Sequence, residues 1–404
     1  MTILSKIQEI SSRYPDRLAV IHNGNRYTYS ELYSLMEAKH ESCPIPLLGE
    51  SWDSDFHLHT TGTTGTSKTI IVPQSAVLAN TDNLIYAHGY TPDTVFITTG
   101  PLDHLGNWSK IFPVLTLGGT LIILDSMKEI ESFYQALDLA SELRNNTRTI
   151  GSFLVPAAIR LLLQFSDRRL SQYAGRIDFI ETGGAPIPHS DMLRLCELLP
   201  DARLYNTYAS TEAGIVASYN YNDGETIAGC CGRSLKNSEV FITEDGTVAC
   251  KGKTLMSGYL DDPEQTLRIL HDSAVYTSDM GYIDEAGRLF IIGRNDDTIN
   301  IGGYKVAPAE VEETAMTYPI VQDCICIETK HPVLGSVLKL LVVLEDELTT
   351  DLKKQIARYL AQQLDRYKVP LLYEQVQKVE RNQNGKLDRK YYKLEIKRTN
   401  EPKK

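Results

Sequence analysis

The sequence predicts an α/β fold: a large N-terminal domain of layered β-sheets and helices with a β-rich subdomain, followed by a small α+β C-terminal domain. Three observations predict it. Short β-rich runs such as Ile150-Gly-Ser-Phe-Leu-Val-Pro156 and Arg176-Ile-Asp-Phe-Ile-Glu181 alternate with helical patterns such as Asp191-Met-Leu-Arg-Leu-Cys-Glu-Leu-Leu199, as strands covered by helices do. From Val240 to Ile292 the texture changes to short strands and turns, with Glu244-Asp-Gly246 and Asp284-Glu-Ala-Gly287 reading as hairpin turns. After Arg294 comes a stretch with its own pattern: a strand at Thr298–Ile301, a helix at Ala309–Met316, apolar strands near Val321–Ile327 and Lys339–Leu344, and a helix near Leu352–Leu364. The charged tail from Lys393 to Lys404 is expected to fray.

Composition narrows the function. The 404 residues are 42% hydrophobic and 23% charged, enough apolar material for large cores, which excludes a disordered chain. A net charge of −11 leaves no positive field for a polyanion, so no nucleic-acid partner is expected. No run approaches the roughly 18 apolar residues of a membrane span, and the start MTILSKIQEISSRYPDR carries charges where a leader needs an apolar run; the chain reads as cytoplasmic. Cys43, Cys196, Cys230, Cys231, Cys250, Cys324 and Cys326 form no C-x-x-C pair, so they read as reduced thiols rather than a disulfide framework or zinc site.

The strongest local signal is His59-Thr-Thr-Gly-Thr-Thr-Gly-Thr-Ser-Lys-Thr69, where hydroxyls, two glycines and a lysine can present donors to phosphate oxygens. It misses the Walker loop only at Ser67. A Walker loop must open a helix at its lysine, but Thr69-Ile-Ile-Val72 is a β-branched run stopped by Pro73, with a helix only from about Ser75. The loop is therefore expected at the tip of a β-hairpin. It resembles the phosphate loop, roughly TSGTTGxPKG, of the adenylate-forming superfamily of acyl-CoA synthetases, aryl-CoA ligases and adenylation domains. Ser67 and Thr69 replace that loop's proline and glycine.

Further motifs follow in that family's order. Asn206-Thr-Tyr-Ala-Ser-Thr-Glu-Ala-Gly214 resembles N-x-Y-G-x-T-E; read locally it is a helix start capped by Ser210. Tyr276-Thr-Ser-Asp-Met-Gly-Tyr282 resembles T-G-D-x-G, and Gly293 to Glu312 resembles GRxDDxIxxxGxxVxPxEIE, departing from its specified residues only at Val311. Asn382-Gln-Asn-Gly-Lys-Leu-Asp-Arg389 resembles N-x-x-G-K-x-x-R, although Asn-Gly before a lysine is also an ordinary turn.

The resemblance implies roles. Lys386, Thr211 and Glu212 are the expected catalytic residues, with Glu212 on magnesium. Thr60, Thr61, Gly62, Thr63, Thr64, Gly65, Lys68, Gly184, Ala185, Pro186, Asn206, Tyr208, Thr211, Asp279 and Arg294 are the expected nucleotide contacts. Pro101-Leu-Asp-His-Leu-Gly106 resembles PLxHxxG, with Gly106 one position early, and puts His104 at an acid pocket with Phe153, Gly183 and Tyr208; the histidine pattern favours an acid without an α-amino group, adjacent Asp103 leaves an amino acid as the alternative, and a flat aromatic or short aliphatic acid fits the walls. Asp296 is the expected hinge and Gly302 and Gly303 the thiol tunnel, dividing the chain into 1–293, a hinge at 294–297 and a mobile lid at 298–404.

Activity and partners follow from the same resemblance. ATP, Mg2+ and coenzyme A are the implied cofactors, and a small carboxylic acid the partner. The implied reaction adenylates the acid and passes the acyl group to the CoA thiol, with loading of an acyl carrier protein or o-succinylbenzoate-CoA ligation as alternatives. After Tyr27-Thr-Tyr-Ser-Glu-Leu32, which resembles the family's opening, the N-terminal domain is shortened between about 34 and 55, which leaves open how the pocket's outer wall is built.

Overall fold

A computed structural model describes residues 1–59, 68–127, 129–143, 150–301, 304–331, 335–381 and 387–392. The expected fold class is present. Among the described residues fourteen strands form one mixed sheet whose centre is parallel. Its parallel order is Leu18–His22, Thr120–Leu124, Val95–Thr99, Ile150–Phe153, Ile177–Gly183 and Arg203–Ser210. These strands are largely buried on both faces, as a doubly covered parallel sheet requires.

One face carries Phe96, Phe153, Phe179 and Tyr205 against the helices Ile3–Arg13, Tyr29–Glu37, Gln74–His88 and Leu105–Leu115. The other carries Val95, Ile97, Ile150, Ile180 and Leu204 against Ile130–Leu143, Pro156–Leu170 and His189–Leu198. The period of two along each strand assigns neighbouring residues to opposite cores.

Beyond Arg203–Ser210 the sheet turns antiparallel through Gly214–Asn220, Cys230–Ser234, Leu289–Arg294, Ala274–Ile283, Thr247–Gly252 and Ser238–Ile242. This is the expected β-rich part. Its two expected turns sit where the strands reverse, with Gly246 and Gly287 at φ +86° and +75°. The local reading of 206–214 as a helix start does not hold: strand, turn and strand occupy it, and the Ser210 hydroxyl accepts from the Ala213 N–H at 3.0 Å, closing the turn instead of capping a helix.

The N-terminal region builds one edge of the large sheet. Capping boxes at Thr2 and Thr28 start the first two helices, and the strands Leu18–His22 and Asn25–Thr28 extend the sheet. Tyr29 donates from its hydroxyl to the Gly119 carbonyl at 2.7 Å, and Trp52 and Ile45 fill the same core.

The last part has its own three-stranded sheet, in which Asp323–His331 pairs with Gly335–Val343 and the latter runs parallel to Leu372–Gln375. The helices Pro308–Met316 and Thr350–Gln363 pack on one face around Val311, Ile356 and Leu360. Ile325, Leu341, Val379 and Tyr392 form a small core on the other. The tail from 393 onward lies outside the described residues.

Candidate active site

Three short structures meet where the parallel and antiparallel parts of the large sheet join. The first is the expected hairpin. Phe56–His59 pairs with Thr69–Val72 in the register Phe56↔Val72 and His59↔Thr69, with no helix at Lys68. Thr60, Thr61, Gly62, Thr63, Thr64 and Gly65 lie outside the described residues. A third strand, Gly258–Tyr259, pairs along Thr69–Val72 and brings the Tyr259 ring to 4.9 Å from the Lys68 ammonium.

The second is the turn between Arg203–Ser210 and Gly214–Asn220, which carries Thr211 and Glu212, both half-buried. Gly214 has φ +76°, and a Cβ there would lie 2.6 Å from the Asn80 amide, whose oxygen accepts from the Ile215 N–H at 2.8 Å. Only glycine permits that close approach. Tyr259 then donates from its hydroxyl to Glu212 Oε1 at 2.9 Å. Burial, aided by Glu212, pushes the Tyr259 phenol well above its ordinary value, so the proton stays on tyrosine and Glu212 accepts.

The third is the pairing of Ala274–Ile283 with Leu289–Arg294, which sets Asp279 opposite Arg294. Asp279 Oδ2 accepts from the Tyr208 hydroxyl at 2.7 Å, and Oδ1 lies 3.6 Å from Arg294 Nε. Burial and then Asp279 drive the Tyr208 phenol well up, so it too donates. Arg294 Nε is buried and makes no hydrogen bond among the described residues, with the Asp279 carboxylate facing it. Asp279 is braced from behind, its N–H donating to Thr277 Oγ1 at 3.1 Å while the Thr277 hydroxyl donates to the Val248 carbonyl at 2.7 Å.

Tyr208 and Glu212 sit on one hairpin, so the Tyr208–Asp279–Arg294 group and the Lys68–Tyr259–Glu212 group are neighbours. Asn206 is turned elsewhere: its amide nitrogen donates to the Cys230 carbonyl at 2.9 Å and ties two strands together. Gly183 ends the Ile177–Gly183 strand, and a Cβ there would stand 2.5 Å from the Thr207 carbonyl oxygen. Gly184, at φ +77°, turns the chain so that Gly184 and Pro186 are exposed and Ala185 is half-exposed.

His104 precedes the Leu105–Leu115 helix, 3.7 Å from Asp103 and one-third exposed. Phe153 lies against the first turn of that helix: a Cβ on Gly106 would be 3.0 Å from the Phe153 ring. Asp296 falls in a short turn, Asn295–Asp297, directly after the strand that ends at Arg294. Gly302, Gly303 and Lys386 lie outside the described residues.

Among the described residues no cluster of three or more His, Cys, Asp or Glu side chains forms a metal cage. Glu212 with the Thr211 hydroxyl suits a magnesium ion carried on polyphosphate, which takes one or two protein carboxylates and fills its remaining positions with phosphate and water. No described helix is long and apolar enough to cross a membrane. Tyr259 was not anticipated from sequence, because a two-residue strand has no periodicity to reveal it. Also missed was a buried trio, Lys110, Glu181 and His88, beneath Phe153.

The chain is 26% identical over 363 residues to 4-coumarate-CoA ligase 1 of Narcissus pseudonarcissus, covering 84% of this chain and 63% of that one. It is 27% identical to the D-alanine–D-alanyl carrier protein ligase of Staphylococcus haemolyticus, covering 84% and 70%. The amide bond synthetase McbA of Marinactinospora thermotolerans superposes with a TM-score of 0.81 at 19% identity, covering 98% of this chain and 100% of that one. The chain thus spans about three fifths of the coumarate ligase's length. The AMP-binding enzyme model matches residues 48–260, more than half of the sequence, and the AMP-binding enzyme C-terminal domain model matches 310–386. The chain belongs to the AMP-binding enzyme family.

Proposed function

We propose that this protein is an ATP-dependent acid–thiol ligase that activates a small carboxylic acid as its adenylate and passes the acyl group to coenzyme A. The observation that carries this reading is the meeting of two groups on one hairpin: Tyr208, Asp279 and Arg294 suit a nucleoside, and Lys68, Tyr259 and Glu212 suit its phosphates.

In this reading a substrate carboxylate oxygen attacks the α-phosphorus of ATP and pyrophosphate leaves. The step is mainly a matter of placement and charge neutralisation. Lys68 and the preceding loop hold the outer phosphates, Asp279 accepts from the ribose hydroxyls, Arg294 donates to ribose or phosphate, and Lys386 bridges the carboxylate and the α-phosphate. Mg2+ held by Glu212 would neutralise phosphate charge. The CoA sulfur then attacks the acyl carbon, AMP leaves, and the thiol proton passes to solvent. In this reading Lys386 would obstruct the thiol's path, so the part after Asp296 would turn between the two steps and Gly302 and Gly303 would serve the second.

A carrier-protein thiol is the second reading, favoured by the likeness to a D-alanyl carrier protein ligase. The test is pyrophosphate release from Mg-ATP across aryl, cinnamic and short aliphatic acids, each with CoA, with a phosphopantetheinylated carrier, or with neither. Acid-dependent release raised by CoA supports the first reading. Release raised only by the carrier supports the second, and silence with every acid overturns both.

A further inference from the structure

We propose that Lys110, through its ion pair with Glu181, holds Phe153 as the end wall of the acid pocket and so restricts the substrate to short or single-ring acids. This rests on the acid-activating reading above, and deepens it to a substrate class.

The wall is assembled from three elements. Phe153 ends the Ile150–Phe153 strand and lies directly opposite Glu181 on the neighbouring Ile177–Gly183 strand. Glu181 and Gly183 are two residues apart, so they share a face of the sheet; the carboxylate lies one step below the glycine expected in the pocket. The Leu105–Leu115 helix, which begins just after His104, covers that face. Its Gly106 leaves just enough space for the Phe153 ring, and one turn later the Lys110 ammonium stands 5.4 Å from the ring centroid and 2.6 Å from Glu181 Oε1.

The filling behind the ring is costly and rigid. Lys110 and Glu181 are each about 1% exposed, and Glu181 Oε2 lies 3.2 Å from His88 Nδ1. The His88 ring stacks on Tyr205 at 4.0 Å, and its Nε2 lies 2.9 Å from the Ser218 hydroxyl. A leucine or methionine would cover the inner side of Phe153 without desolvating a charge, but it would also shift rotamer readily. An ion pair in a low-dielectric core has one good geometry, so the ring above it cannot retreat without breaking that pair. A long acyl chain therefore meets Phe153, whereas an acid that stops short of it fits.

The test compares straight-chain acids from acetate to decanoate and para-alkylbenzoates in wild type, Lys110→Ala/Glu181→Gln and Lys110→Met/Glu181→Gln. The Ala/Gln pair removes volume and charge together, leaving no unpaired buried ion; the Met/Gln pair removes charge and keeps volume. In the Ala/Gln variant the ratio of kcat/KM for long over short acids should rise roughly tenfold or more, the scale of one or two methylenes in a pocket, while KM for ATP stays within about twofold. The Met/Gln variant should fall between it and wild type. A ratio unchanged in both variants overturns the proposal, as does an equal loss for every acid.

Equilibrium binding of the same acids, followed by the fluorescence of Trp108 on the same helix, separates this proposal from the ligase reading. If wild type turns over no acid but the variants shift binding toward long acids, the ligase reading falls and the wall stands. If turnover is present and neither binding nor turnover shifts, the wall falls and the ligase reading stands.

Discussion

Glu181 and Glu312 are both buried carboxylates paired with a cation, yet they join different things. Glu181 meets Lys110 and His88 within one packed body, between a central strand and the helices that cover it. Glu312 meets the Arg389 guanidinium in a two-pronged pair at 2.8 and 2.6 Å and accepts the Cys326 N–H at 2.8 Å, while Arg389 Nε lies 3.4 Å from Asp297. That second cluster ties together four segments: the turn after Arg294, the Pro308–Met316 helix, the Asp323–His331 strand and the last described residues. A lysine's point charge backs a wall, whereas arginine's planar fork makes a tether.

The electrostatics differ in the same way. Burial pushes the Glu181 carboxyl up, but Lys110 and His88 overcome it and hold it down to about 2. Burial pushes Glu312 up, Asp297 adds to that, and Arg389 pulls it back. Glu181 thus leans on two neighbouring side chains, whereas the one cation on Glu312 is Arg389, three positions after Lys386 in the sequence.

The largest expected effect breaks the tether. Arg389→Ala leaves Glu312 buried without its cation, the kind of loss that costs about 3–5 kcal/mol. Denaturant unfolding should show it, and Arg389→Lys should recover only part, because an ammonium cannot make the fork. A loss within about 1 kcal/mol would mean that Glu312 is protonated or rehydrated when Arg389 is gone, and that the tether is not structural.

Next is Lys386→Ala, which asks what the tether serves. The ends of its segment are held together by the bridge between Arg381 and Leu387 and by the Asp388 N–H donating to the Glu380 carbonyl at 2.9 Å. If Lys386 stabilises charge in the adenylating step, adenylation should fall by about 10²–10³-fold. Thioester formation from preformed adenylate should stay within several-fold, by single-turnover kinetics. Equal losses in both half-reactions would remove Lys386 from that role and the hinge at Asp296 with it.

The third prediction tests the wall through pH. The Glu181 carboxyl is held below its ordinary value of 4.5, so its stabilisation is fully present above pH 4.5 and is lost as pH falls toward about 2. Glu181→Gln should be less stable than wild type at pH 7, and the difference should shrink between pH 4.5 and 2. Burial holds His88 below 6.5 although Glu181 pulls it up, so the unfolded chain takes a proton first and stability begins to fall as pH drops below 6.5, more steeply in Glu181→Gln, which lacks that carboxylate. A difference between the two proteins that does not vary with pH would show that Glu181 is neutral in the fold.

The contrast also explains what was legible in the sequence. The hairpin at Lys68 was readable because Thr69-Ile-Ile-Val72 and Pro73 forbid a helix over four consecutive residues, a strictly local signal. The Asp-Gly and Ala-Gly turns were readable for the same reason. Asp279 and Arg294 were each found by motif, but their pairing needed the antiparallel register that only the sheet supplies. Lys110 gave no sign of itself: on a helix of mixed residues it resembles a solvent-facing lysine, and its partner lies 71 positions further along the chain. The Leu372–Gln375 strand was missed because four residues at an edge carry too little alternation, and its order comes from parallel pairing with Gly335–Val343. Sequence patterns report local conformation; the charges that hold distant segments are settled by topology.

The smallest expected effect lies where the two bodies touch. Asp323, at the start of the Asp323–His331 strand, accepts both Oδ1 and Oδ2 contacts from Arg381, at 3.0 and 2.9 Å, and lies 3.3 Å from Arg160 on the Pro156–Leu170 helix of the large sheet. Arg160 also reaches Asp191 at 3.3 Å, whose carboxyl burial pushes up. These side chains are about a quarter exposed, so Arg160→Ala should cost under about 1 kcal/mol of stability. The informative quantity is its coupling to Arg381→Ala. Both arginines share one carboxylate, so removing either should strengthen the hold of the other, and the double variant should lose more than the two single losses added together. Additivity within about 0.3–0.5 kcal/mol would mean that Arg160 does not hold Asp323 in solution, and that the large body does not grip the base of the Lys386 segment.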